Sequence, residues 1–171
     1  LVFSFFLLFN LFVVQLYPSA IADVFGLIFV FLIITYYRRT CGVEATSLLV
    51  ALNIGFISFA VIVITPKDFG VIYWSIFVPI FSMLLLGRKR GLAYTALYYA
   101  VLIAYLGSVV NKGLSAHQFI EFVAISLVLV AVIYYYEFNR LEAYTLIQRA
   151  SIEDPLTGLF NRRQFNKIFE D

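Results

Sequence analysis

The sequence predicts an all-α integral membrane protein, a six-helix transmembrane bundle continuing into a cytoplasmic signalling helix. Three observations predict it. The 171 residues are 63% apolar and only 13% charged, against roughly 45–50% apolar and about 25% charged in a soluble domain. Mean hydropathy is +0.97, which excludes a soluble fold, a disordered chain and a nucleic-acid binder together. The apolar runs are also continuous, without the alternation of apolar and polar residues that marks a membrane β-barrel strand. The net charge of +2 is too small to imply an electrostatic partner, and the lone Cys41 permits no intrachain disulfide and defines no metal cluster. Opening at Leu1 without Met or a basic n-region, and with no A-x-A-like cleavage site near residue 20, the chain reads as a fragment rather than one led by a signal peptide.

A helix needs about 20 residues to cross roughly 30 Å of hydrocarbon, and the polar interruptions divide the chain into runs of that size. The spans fall at residues 1–17, 20–37, 43–65, 69–86, 92–110 and 117–136. The first carries Asn10 and Gln15 and ends at Pro18-Ser19. The second carries Asp23 and ends at Arg38-Arg39-Thr40; the third carries Asn53 and ends at Pro66-Lys67-Asp68. The fourth stops at Gly87-Arg88-Lys89-Arg90-Gly91. On the fifth, Ala96, Ala100, Ala104 and Ser108 recur every four residues, a small-residue stripe expected to let another helix of the bundle approach closely. Asn111-Lys112-Gly113 separates it from the sixth. Connections this short make neighbouring helices antiparallel.

Orientation follows from the basic residues. Arg38, Arg39, Arg88, Lys89, Arg90 and Arg140 fall on one side of the spans, and only Lys67 and Lys112 on the other. The positive-inside rule makes the first side cytoplasmic, so Arg38, Arg39, Arg88, Lys89 and Arg90 are the topology determinants and both ends lie in the cytoplasm. The Arg88 to Arg90 cluster is also suited to anionic lipid headgroups, and membrane lipid is an expected partner. Tyr17, Tyr36, Tyr37, Tyr73, Trp74 and residues 134–136 lie near span ends, where amphipathic rings favour the headgroup level.

Ionisable groups inside a span cost about 2.5–3.5 kcal/mol on insertion scales, so each needs a reason. Asp23, Asp68, His117 and Glu121 all lie toward the outer surface, with His117 and Glu121 one helical turn apart. Together they form a candidate outer site for a polar or cationic ligand whose identity the sequence does not give. His117 and Glu121 are fewer ligands than a dedicated zinc site needs, and no metal site is expected. Asn10, Gln15 and Asn53 read as interhelical hydrogen-bond partners.

From Glu137 the composition becomes polar while the helical pattern continues from the sixth span. Tyr134, Phe138, Leu141, Thr145, Gln148 and Ile152 alternate by four and three, the spacing of a two-stranded coiled-coil seam, here short and partly polar. A dimeric stalk and a solvated amphipathic helix both fit it. Asp154-Pro155 stops the helix, because the residue before proline is driven out of helical angles. In the turn that follows, Gly158 supplies backbone freedom, Leu156 and Leu159 are apolar anchors, Thr157 can bond nearby backbone, and Asn161 can cap a helix starting around Arg162.

The run from Asp154 to Phe165, with Leu156, Thr157, Gly158, Leu159, Asn161, Arg162 and Arg163, closely resembles the opening signature D-x-L-T-G-L-x-N-R-R-x-F of the GGDEF family, the diguanylate cyclases. The resemblance implies a division into a transmembrane sensor (1–136), a helical stalk (137–153) and the truncated beginning of an α/β GGDEF domain (154–171). It implies a bacterial inner-membrane parent that condenses two GTP into cyclic di-GMP with Mg2+, as a homodimer joined through the stalk. It also implies a salt bridge between Asp154 and Arg162. The family's catalytic loop and its metal and guanine contacts would lie beyond Asp171, so these residues hold no catalytic group, no cofactor and no GTP site. A transporter or channel-like bundle regulated by a cytoplasmic GGDEF domain, catalytically degenerate or not, is the alternative, though few intramembrane charges and no convincing inverted repeat favour it.

Overall fold

The computed structural model describes residues 2–12, 17–65, 69–110 and 114–152. They are helical almost throughout. In order they form α1 (Val2–Phe12), α2 (Tyr17–Thr40), α3 (Val43–Ile64), a short α4 (Phe69–Ile72) continued by a 3-10 turn (Tyr73–Ile76), α5 (Phe77–Val109) and α6 (Ala116–Ile152). Among the described residues there is no strand, only an isolated bridge between Val110 and Leu114. Among the described residues four stretches are long and apolar enough to cross a membrane: Tyr17–Thr40, Val43–Ile64, Gly70–Val109 and Ala116–Gln148. Large apolar side chains cover their outsides, Phe31, Leu97 and Leu127 being 65–69% exposed. Water would penalise that surface; lipid does not.

The stretch Gly70–Val109 has 40 residues and would reach about 60 Å if straight, twice the hydrocarbon thickness. It is not straight. Gly87 sits at φ 74° and ψ 173°, outside helical angles, in a left-handed region that glycine enters without a Cβ penalty. Ser82 Oγ lies 2.7 Å from Thr95 Oγ1, thirteen residues on, where an unbroken helix would separate them by about 20 Å. The Tyr99 hydroxyl likewise donates to the carbonyl of Ser75 at 3.4 Å. The arms 77–86 and 88–109 therefore run side by side in opposite directions. The sequence suggests a five-residue turn over 87–91, but Gly87 alone leaves helical geometry and the basic residues 88–90 are helical. One residue with positive φ suffices for the reversal.

Close approach of the arms depends on Gly91, at whose position a Cβ would meet the Met83 Cα and the Ser82 carbonyl oxygen, both at 2.6 Å. At Gly55 on α3 the missing side chain leaves room for the Tyr94 ring, whose hydroxyl donates to the Ala51 carbonyl at 3.0 Å. Ile62, Ile72, Val78, Tyr98, Tyr99, Leu102, Leu106, Leu114 and Phe122 form the core. That core belongs to the first of two compact units, Leu1–Tyr134; the second is Tyr135–Asp171.

Local chemistry sets the helix ends. Only Cys41 and Gly42 separate α2 from α3; the Cys41 amide donates to the Tyr37 carbonyl and Thr46 Oγ1 to the Gly42 carbonyl. At the start of α6, the Gln118 amide donates to Ser115 Oγ and the Ser115 amide to Gln118 Oε1, a reciprocal capping box. The small-residue stripe does not pack as expected. Ala96, Ala100, Ala104 and Ser108 are all exposed, because the opposite face of that arm carries Thr95, Tyr98, Tyr99, Leu102 and Leu106, whose larger side chains take the core.

Candidate functional site

The polar residues expected toward the outer surface divide into two different environments. Asp23 is 5% exposed and accepts a hydrogen bond from Asn10 Nδ2 at 2.7 Å, joining α2 to α1. Asn10 thus acts as the interhelical partner the sequence suggests. His117 and Glu121 are well exposed on α6, with Nδ1 3.4 Å from Oε2. Asp68 and Gln15 lie outside the described residues. Among the described residues no three of His, Cys, Asp or Glu gather as a metal-holding group, so Asp23 is not assembled into a cluster with the α6 pair. Asp23 faces a neighbouring helix instead of the surface because Ser19, Ala20, Ala22 and Gly26, all small and buried on the same helix, let α1 come close. Asn53 is also buried, and its Oδ1 has no hydrogen-bond partner.

An interhelical hydrogen bond in a membrane contributes about 0.6–2 kcal/mol, and an orphaned buried partner adds its desolvation penalty, about 1–3 kcal/mol. Asn10→Val is therefore expected to destabilise the protein by about 2 kcal/mol, and the double variant Asn10→Val with Asp23→Val by less, since it leaves no orphan. Denaturant titration in mixed micelles measures both.

The second feature is a line of hydroxyls inside the bundle, which charge-based reading passes over. Tyr98 Oη donates to Ser58 Oγ on α3 at 2.9 Å, Ser82 and Thr95 join the two arms of α5, and Tyr99 Oη donates to the Ser75 main-chain carbonyl and bonds Ser126 of α6, while the buried Ser75 Oγ has no hydrogen-bond partner. Ser58, Ser75, Ser82, Thr95 and Ser126 are all buried. The available signal was Tyr94 and Tyr98, four residues apart and therefore on one helix face, followed by Tyr99, the last two well inside the 92–110 span. Each bond ties two helices and none leaves a reactive group exposed, so the line serves packing.

The third feature is a basic end. Arg38 and Arg39 close α2, and Glu44 in the first turn of α3 lies 3.6 Å from Arg90 beside the α5 reversal. Arg88 stands 5.8 Å over the ring of Tyr134. The basic residues from both connections therefore collect at one end. Tyr36, Tyr37 and Tyr134 are exposed there, as expected for rings at headgroup level.

Past that ring, Glu137 is 1% exposed and accepts a hydrogen bond from Arg140 Nη2 at 2.6 Å, one turn along α6. Glu137 Oε2 and Arg140 Nε have no hydrogen-bond partner. The helix itself continues to Ile152. The proposed seam residues Phe138 and Leu141 are 43% and 40% exposed. Asp154, Leu156, Thr157, Gly158, Leu159, Asn161, Arg162 and Arg163 lie outside the described residues.

The profile of the MASE6 family matches residues 1–145 of the chain. The chain belongs to the MASE6 family. MASE6 is a membrane-associated sensory domain family, and the match takes in α1 to α5 whole and all of α6 but its last seven residues. A membrane protein with a sensory domain is what its long apolar helices and this family have in common. No curated protein and no solved structure matches the chain.

Proposed function

We propose that this MASE6 chain is the sensory input region of a membrane-bound diguanylate cyclase, controlling cyclic di-GMP synthesis from two GTP through a dimeric helical stalk. The observation that carries the reading is the twelve-residue run from Asp154 to Phe165, every fixed position of which fits the opening signature of a GGDEF domain. It follows α6, a helix that starts in the sensory domain and continues to Ile152. In this reading α1 and each arm around Gly87 count as separate passes, so the chain crosses the bacterial inner membrane six times with both ends cytoplasmic. The collection of Arg38, Arg39, Arg88, Lys89 and Arg90 at one end supports that orientation.

In this reading the partner of the stalk is a second copy, the exposed Phe138 and Leu141 supplying its seam. GTP and Mg2+ belong to the cyclase domain that follows. His117 and Glu121 are the exposed pair for an outer polar or cationic ligand, while Asp23, bonded to Asn10, holds α1 against α2. A salt bridge between Asp154 and Arg162 would fasten the stalk to the cyclase domain.

Two experiments test the reading. Reporter fusions after Arg39, Arg90 and Asp171 should report cytoplasm, and fusions after Ser19, Asp68 and Gly113 the outside; the reverse pattern contradicts the orientation. The full-length protein in vesicles should convert GTP to cyclic di-GMP when Mg2+ is supplied. Absence of product with GTP and Mg2+ present contradicts the assignment as an active cyclase.

A further inference from the structure

Among the described residues of the unit Leu1–Tyr134, the apolar surface is indented by grooves, two of which stand out. One, of about 410 Å³ between α2 and α3, is walled entirely by apolar side chains, among them Phe25, Phe29, Phe56 and Ile57. The other, of about 350 Å³, is walled by Leu48, Leu86, Ala93 and Tyr94 and carries one cation, Arg90. Both have the size of a small-molecule site. Only the second combines an apolar wall with a positive charge, and it lies at the basic end beside the Gly87 reversal.

We propose that the second groove binds one anionic phospholipid, with an acyl chain against Leu48, Leu86, Ala93 and Tyr94 and the phosphate on the Arg90 guanidinium. The Arg90 side chain is 74% exposed, and its partner Glu44 is 87% exposed at 3.6 Å. An ion pair so open to solvent holds weakly. A phosphate offers the same guanidinium two parallel charge-assisted hydrogen bonds, so the lipid competes with Glu44 and wins. Lys89 and Arg88 are sequence neighbours and add to the positive field at headgroup level. Glu44 is thereby a built-in competitor that sets how much anionic lipid the site needs. The inference rests on the membrane location alone and is independent of the cyclase reading.

Native mass spectrometry of the detergent-solubilised protein, titrated separately with phosphatidylglycerol and phosphatidylcholine, tests it. Phosphatidylglycerol should be retained more tightly. Arg90→Gln should weaken phosphatidylglycerol about five-fold, the effect of one cation at the membrane surface, and leave phosphatidylcholine unchanged. Glu44→Gln should strengthen phosphatidylglycerol binding. Leu48→Trp, which fills the groove and keeps the charge, should weaken it, and inorganic phosphate should not displace the lipid. Equal retention of the two lipids, phosphatidylglycerol binding unchanged in Arg90→Gln or in Leu48→Trp, or displacement by phosphate alone would each overturn the proposal.

Discussion

Gly91→Ala is expected to destabilise the protein by about 3 kcal/mol, the upper end of what overpacking costs. The added methyl would sit 2.6 Å from both the Met83 Cα and the Ser82 carbonyl oxygen and 2.9 Å from the Met83 amide nitrogen. These are main-chain atoms of the opposing arm and cannot turn away as a side-chain tip can. Relief requires the arms to separate, which breaks the hydroxyl contact between Ser82 and Thr95 at the same level. Gly107→Ala, whose methyl would come no nearer than 4.0 Å to the Phe119 ring, should change stability little. Gly87→Ala forces alanine to φ 74° and ψ 173°, a region essentially reserved for glycine, and should cost about 1–3 kcal/mol. Unfolding titrations of the three variants in mixed micelles give the order; equal losses at 91 and 107 would contradict the packed hairpin.

Arg140→Met should be comparably damaging, but within α6. Its guanidinium is what compensates a Glu137 carboxylate that is 1% exposed. Removing one member of a buried ion pair costs about 3–5 kcal/mol, whereas replacing both by apolar residues of similar size is often neutral or stabilising. Because Arg140 is itself 32% exposed, a loss at the lower end of that range, about 3 kcal/mol, is expected. Glu137→Met combined with Arg140→Met should recover most of it. Hydrogen exchange of the amides around residues 134–145 reads the effect locally. Equal protection in the single and double variants would mean that the pair does not secure this part of the helix.

The helical, membrane-embedded character was legible because apolar composition and run length are properties of the sequence itself. Helix ends at Arg38-Arg39 and near Ser115 were similarly visible as polar breaks. The environment of Asp23 was not legible, because distance from a span end says nothing of which face meets a neighbour. That depended on Ser19, Ala20, Ala22 and Gly26 admitting α1. The stripe at Ala96, Ala100, Ala104 and Ser108 misled for the same reason: spacing fixes a shared face but not its partner, and the tyrosine-bearing face took the core. The pairing of Ser82 with Thr95 was hidden until the reversal at Gly87 was located to one residue. Glu137 could be read from sequence only as the first polar residue of a stalk, whereas its burial is a property of the fold.

Control of the proposed cyclase by the MASE6 region through the helix leaving it depends on the phase of that helix. Two residues inserted between Glu142 and Ala143 rotate everything beyond by about 200°, while seven rotate it by only about 20°. Cyclic di-GMP synthesis is then measured for the full-length protein and both insertion variants in vesicles with GTP and Mg2+. The expected result is that the seven-residue insertion keeps most of the synthesis and the two-residue insertion loses it, with both variants inserted in the membrane at parental levels. Equal synthesis by the parent and the two-residue variant would contradict control through the stalk.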